Sequence, residues 1–270
     1  TWIRQGFVEN LPVNSSKYWL QKTSDDRFVL AFNPTSRLRF PLAVATSSDG
    51  AQVAGVKLEA GRAEIWISDV RRGTATRLMH TGVSAAPVWS ADGRTVYFAN
   101  RTRGAFEIWA RDADGSSSPV RLFAADRRHA LPLAASPDGR LLAFLQTADA
   151  TRADIWVLPL DGGSPKPMVQ TVFDEGAATF SPDSSMLAFQ SAQSGRWEIY
   201  VQRIVDGGPI VVSTGGGERP VWTRDGLFYQ SAGAIRRATV RVASDGLVVD
   251  SLTEVPLTEA DRRGLQSGAT

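Results

Sequence analysis

Residues 86–123 read APVWSADGRTVYFANRTRGAFEIWARDADGSSSPVRLF, and their pattern returns along the chain. The turn Ser90–Gly93 (SADG) recurs as SSDG at Ser47–Gly50, SPDG at Ser136–Gly139, SPDS at Ser181–Ser184 and TRDG at Thr223–Gly226. The triplet Glu107-Ile108-Trp109 recurs as Glu64-Ile65-Trp66, Asp154-Ile155-Trp156 and Glu198-Ile199-Tyr200. Steps between the turn aspartates Asp49, Asp92, Asp138, Asp183 and Asp225 are 43, 46, 45 and 42 residues. A period of about 40–50 residues with several short strands per unit is the mark of a β-propeller.

Within one unit the strands follow from local chemistry. In the S-x-D-G turn, Asp can accept from backbone beyond it and Gly takes positive φ without steric cost. Thr95–Ala99 is β-branched and aromatic, so it predicts a strand covered on both faces. Phe106–Arg111 alternates, with Phe106, Ile108 and Ala110 on one face and Glu107, Trp109 and Arg111 on the other. Asp112–Gly115 is a further turn, and Val120–Phe123 a last strand. One such four-stranded sheet cannot bury both of its faces, so the units must stack.

Working outward, units are expected over about 40–79, 86–123, 131–169, 176–212 and 218–242. Thr1–Leu11 reads as a hairpin through Gln5-Gly6, and Lys17–Phe32 as a degenerate repeat with Ser24-Asp25-Asp26 in place of the turn. The last unit lacks the acid-Ile-aromatic triplet, and Leu247–Leu257 is left over as a further strand. The reading is a six-bladed all-β propeller over residues 1–258, seven blades being the weaker alternative, with 259–270 a polar tail. Its closing blade is expected to combine strands from both chain ends, because a ring must hide its last sheet edges.

Composition bounds the rest. The 270 residues include no Cys and two His, with a net charge of +2. That excludes disulfides, thiolate sites and a multi-histidine metal centre, and it gives no basic field for nucleic acid. No run of 18 apolar residues occurs, so no membrane insertion is expected within the chain. The chain opens at Thr1 on strand-like sequence and is read as part of a longer protein.

The repeat resembles propellers related to the Tol-system periplasmic protein, in which SPDG and a strand precede S-x-x-G-x-x-(D/E)-I-(W/Y); Asp183–Tyr200 (DSSMLAFQSAQSGRWEIY) fits that pattern. Residues 181–231, Ala153–Gly162 and Thr1–Pro12 are similar to the C-terminal, sensor-like propeller of bacterial serine/threonine protein kinases. The resemblance implies a sensor or interaction domain on the extracytoplasmic side. Ser184 departs from the usual turn Gly.

Catalytic chemistry is not visible. There is no kinase phosphate loop, no G-x-S-x-G elbow and no H-E-x-x-H. Gly215–Gly217 is read as a turn between units, and Asp112-Ala-Asp114-Gly115 as a plain turn, since Phe123 stands where a calcium loop would end in Glu. No catalytic, cofactor or metal residue is assigned. The repeated tryptophans are read as packing between blades, and the repeated acids as facing polar groups of a neighbouring blade. Function is expected instead where the units differ, at the segments that enter each first strand. These carry Arg39, Ser84, His129, Asp174, Glu175, Glu218 and Arg219, a mixed-charge set suited to a protein, peptide or small polar ligand at a channel mouth. A monomeric, non-catalytic binding propeller is the leading reading. The alternatives are a propeller gating a peptidase or hydrolase and a free-standing periplasmic scaffold.

Overall fold

A computed structural model describes residues 18–22, 28–32, 44–46, 50–59, 62–69, 72–148, 151–243 and 246–256. The described residues form strands and no helix. They divide between Ala124 and Ala125 into two compact units.

The first unit holds a hairpin and two four-stranded sheets. Strands β1 (Tyr18–Lys22) and β2 (Phe28–Phe32) pair only with each other. The first sheet runs β3 (Val44–Thr46), β4 (Gln52–Glu59), β5 (Arg62–Asp69), β6 (Thr74–Arg77). The second runs β7 (Val83–Trp89), β8 (Thr95–Arg101), β9 (Glu107–Asp112), β10 (Val120–Phe123). One cluster joins the two: Ile65, Ile67 and Leu78 from the first side meet Trp89, Val96 and Phe98 from the second, with Trp109 packed on its edge. Arg111 locks the join, donating to the Leu78 carbonyl while its other nitrogens hold Ser117 O (2.9 Å) and Gly115 O (2.8 Å).

The second unit holds three sheets. They are β11 (His129–Ala135) to β14 (Lys166–Val169) through β12 (Leu141–Ala148) and β13 (Thr151–Pro159); β15 (Glu175–Phe180) to β18 (Ile210–Val211) through β16 (Met186–Ser191) and β17 (Glu198–Arg203); and β19 (Glu218–Thr223) to β22 (Gly246–Glu254) through β20 (Gly226–Ser231) and β21 (Ala234–Ala243). Strand β16 shows why continuous apolar runs mean double burial. Leu187 and Phe189 enter the cluster shared with the sheet before it, while Met186 and Ala188 enter the cluster shared with the sheet after it. Alternation serves two cores at once.

The S-x-D-G turns close by one repeated circuit. Ser90 Oγ donates to Asp92 Oδ1 (2.6 Å) and accepts from Thr95 N–H (2.9 Å), and Asp92 Oδ1 accepts from Arg94 N–H (3.0 Å). Ser136/Asp138/Leu141 and Ser181/Asp183/Met186 repeat it. The Ser90 hydroxyl holds the Asp92 carboxyl below its ordinary range, and the Ser181 hydroxyl does the same for Asp183. Ser184 keeps the Gly geometry at φ 61°, and its Oγ accepts from Asp138 N–H (3.1 Å), tying two turns together.

Two sequence expectations are corrected. Leu247–Leu257 was expected to leave its neighbours for a closing blade. Instead β22 pairs antiparallel along β21 from Ala243↔Gly246 to Arg236↔Glu254, completing the fifth sheet. The cause is the hairpin, which returns the chain directly onto the long strand β21. Nor do the repeated acids Glu64 and Glu107 turn to a neighbouring sheet. Glu64 pairs with Arg77 (3.1 Å) and Glu107 with Arg121 (3.3 Å), each the outer strand of its own sheet. The Gln5-Gly6 hairpin, the Ser24–Arg27 turn, Arg39 and the 259–270 tail lie outside the described residues.

Candidate functional site

Within each of four sheets the register sets one mostly polar row at the equivalent position. The rows are Ser84–Asn100–Glu107, Ala130–Gln146–Asp154, Glu175–Ser191–Glu198 and Glu218–Gln230–Ile235. Ser84, Asn100, Gln146, Glu175, Ser191 and Glu198 are buried, where polar groups need partners. In three rows the third member is the repeated triplet acid (Glu107, Asp154, Glu198), and in three the first is a candidate (Ser84, Glu175, Glu218). Ser84, His129, Glu175, Glu218 and Arg219 therefore lie within the first strands rather than ahead of them; only Asp174 precedes one.

Each of these first strands is bulged just beyond its row, between Ala85 and Val88, Pro132 and Ala134, Gly176 and Ala178, and Glu218 and Val221. Ala86, Ala177 and Arg219 stand there at φ 50°, 30° and 54°. A bulge frees backbone groups from the ladder and re-aims side chains. Arg219 shows the use: its N–H donates to Gln190 Oε1 (2.9 Å) of the adjoining sheet and its Nη1 to Gln230 Oε1 (3.0 Å). Asp174 makes a second link, its Oδ1 accepting from Ala153 N–H (3.3 Å). In the second unit the row ends are thus bridged from sheet to sheet. Asp174 and Arg219 make these links, with Glu175 next to Asp174 and Glu218 exposed beside Arg219. In the first unit Ser84 is closed off: the Asn100 amide nitrogen donates to Ser84 Oγ (3.0 Å) and to Thr81 O (3.1 Å). His129 pairs in register with Thr147, one step outside its row.

Glu175 is the exceptional group. Its side chain is buried, 2% exposed. Oε1 accepts from Thr171 Oγ1 (2.6 Å) and Ser191 Oγ (3.3 Å), whereas Oε2 has no hydrogen-bond partner. Burial pushes its carboxyl above the usual range; the two hydroxyls pull it back, and the charges of Asp154 and Asp174 push it up further. The Thr171–Asp174 segment ahead of it exposes Val172 and Phe173.

Glu198 in the same row is fully served. Ser213 Oγ and Arg196 Nε (2.9 Å) donate to it, as does Gly216 N–H (2.9 Å). Gly215–Gly217 is therefore a cradle as well as a turn. A Cβ at Gly217 would lie 2.4 Å from Ser213 Oγ and 2.8 Å from Ile199 Cγ1. The Asp112–Gly115 segment is held as a turn by Gly115 N–H to Asp112 O (2.9 Å) and Ser116 N–H to Asp114 Oδ1 (2.9 Å). Among the described residues no group of three acid or His side chains is placed to hold a metal ion. The aromatic positions divide. Trp109 and Tyr200 pack where sheets meet, while Trp66 lies under the Lys57 ammonium (4.5 Å).

No family model matches the chain. It is 26% identical over 178 residues to an uncharacterized Agrobacterium fabrum protein, covering 63% of this chain and spanning 58% of that one. The chain thus spans little more than half the length of that relative. Among solved structures it is similar to a TolB from Agrobacterium tumefaciens, with TM-score 0.60, 19% identity, and coverage of 72% of this chain and 79% of that one. TolB from Acinetobacter baumannii gives TM-score 0.56 and 23% identity, covering 88% of this chain and 60% of that one. The fold is a β-propeller of antiparallel four-stranded sheets, like that of the TolB proteins.

Proposed function

We propose that the chain is a non-catalytic recognition module that binds a polypeptide partner at the polar row ends of the second unit. One observation carries this reading: the repeated acids Glu64, Glu107 and Glu198 are consumed in holding their own sheets, whereas the unlike residues Asp174, Glu175, Glu218 and Arg219 are gathered at one end of three bridged sheets. Rigid sheets that present variable entries are a general route to specific binding. The TolB likeness supports a propeller of this kind without naming its partner. Attachment to a serine/threonine kinase rests on repeat resemblance alone, and no relative or solved structure reported above supports it. Six blades over residues 1–258 is the count we infer from the repeat period, with β1 and β2 in the sixth.

The test is affinity capture with the full chain against the paired charge reversal Asp174→Lys/Glu218→Lys. Both side chains are exposed, so the variant is expected to fold. A partner held by the wild type and lost about tenfold or more on reversal supports the reading. Equal capture by both, or turnover of a substrate by the chain alone, overturns it.

A further inference from the structure

Asp174 directly precedes Glu175 and accepts from Ala153 N–H (3.3 Å), the neighbour of Asp154, so three acids meet at the start of β15, and none makes an ion pair with a described residue. One of them is buried with an oxygen that no donor satisfies. Elsewhere in the same sheet a buried carboxylate is given every donor it needs. A site built with one acceptor left over, inside a local excess of negative charge, is complementary to a cation.

We propose that the start of β15 is a receptor for a primary ammonium group, the side chain of a lysine on the partner polypeptide, received by Glu175 Oε2, which the unbound fold keeps closed to solvent and binding uncovers, with Asp174 beside it in the chain and Asp154 next to the residue that Asp174 holds. This rests on the recognition reading above and specifies what is recognised. The geometry selects among cations. Guanidinium groups favour two parallel bonds to both oxygens of a carboxylate, and here Oε1 is already taken by Thr171 and Ser191. A single free oxygen suits a compact point charge. The described residues provide no three-carboxylate metal cage, which disfavours a bare divalent ion. Next to the acids, Val172 is 66% and Phe173 42% exposed, an apolar surface for the four-carbon stem of lysine.

The experiment titrates the full chain with N-acetyl-lysine methylamide and follows its amide NMR spectrum. Saturable shifts of the Gly176 and Ser191 amides are expected, with affinity weakened about tenfold or more in Glu175→Gln, as for loss of one charge-assisted bond. N-acetyl-norleucine methylamide, which keeps the stem and lacks the charge, should leave those amides unmoved. N-acetyl-arginine methylamide should bind several-fold more weakly than the lysine probe. Leucine methylamide separates the side chain from a free chain end, because its only ammonium is the α-amine. No saturable shift with the lysine probe overturns the proposal. So does undiminished binding in Glu175→Gln, or tighter binding of the arginine or α-amine probe. The two readings fail separately: a partner still lost on reversal of Asp174 and Glu218, with no lysine binding, keeps the recognition module and removes the ammonium receptor.

Discussion

Glu175 and Glu198 lie in one row of one sheet, separated by Ser191, and both are 2% exposed. Their surroundings are opposite. Glu198 is gripped by a hydroxyl, a backbone amide and a guanidinium. Glu175 has two hydroxyls on one oxygen, nothing on the other, and acidic neighbours. The difference teaches that burial of a charge does not tell its purpose; the completeness of its bonding does. A buried carboxylate with all its donors fixes local structure, whereas one left short stores a cost that a ligand can relieve.

Substitution should separate the two glutamates by sign. Glu198→Ala strands Ser213, Gly216 and Arg196 together, and a loss of about 3 kcal/mol in urea unfolding is expected. A loss below about 1 kcal/mol would break the comparison from the Glu198 side.

Glu175→Gln should instead stabilise, by about 1 kcal/mol at neutral pH, since it removes a charge that burial opposes. The pH dependence follows from the direction of the shift. The folded protein holds the Glu175 proton to higher pH than the unfolded chain does. Its contribution is therefore fully present below the unfolded value and is lost as pH rises through the folded one. The variant's advantage should accordingly shrink toward zero as pH falls below about 4, the ordinary carboxylate range. An advantage that stays constant with pH, or a loss at neutral pH, would show that the Glu175 charge is already satisfied.

The smallest effect tests the repeated acid where it is shortest. Glu107 Oε2 accepts from Trp109 Nε1 (3.3 Å), while Trp66 and Trp156 Nε1 are buried without a partner; Glu64, two residues before Trp66, has both oxygens drawn to Arg77, whereas before Trp156 the acid is the shorter Asp154. Asp154→Glu adds the missing methylene, and a gain of about 0.5 kcal/mol in thermal or urea unfolding is expected. No gain would mean that the indole environment differs between the two sheets by more than side-chain reach.

Much of the scaffold could be read directly, and the residues show why. The Ser90/Asp92/Gly93 circuit is local: all its atoms belong to a few consecutive residues, so the motif implies the turn. Burial of Leu187 and Phe189 on one side and Met186 and Ala188 on the other was implicit in an unbroken apolar run. The candidates at the strand entries were also found by their unlikeness, but not their roles. Whether Glu175 lacks a donor depends on Thr171 and Ser191, and the Arg219 links depend on Gln190, 29 positions away. The bulges at Ala86, Ala177 and Arg219 have no glycine at the positive-φ position itself, yet Pro87, Gly176 and Pro220 stand beside them, a strand-breaking signal that was legible and went unused. For β22, residue type gave a strand but not its neighbour; the hairpin register decided that.

By itself the amino-acid order determined the repeat, the turns, the strand faces and the end of each unit at which difference is concentrated, because these depend on contacts within a few residues or on a period of two. Only tertiary structure decided which buried acid is complete and which is not, because hydrogen-bond satisfaction is a property of groups brought together from separate strands. Glu175 and Glu198 are the same side chain, and the fold alone gives one of them its full set of donors and withholds it from the other.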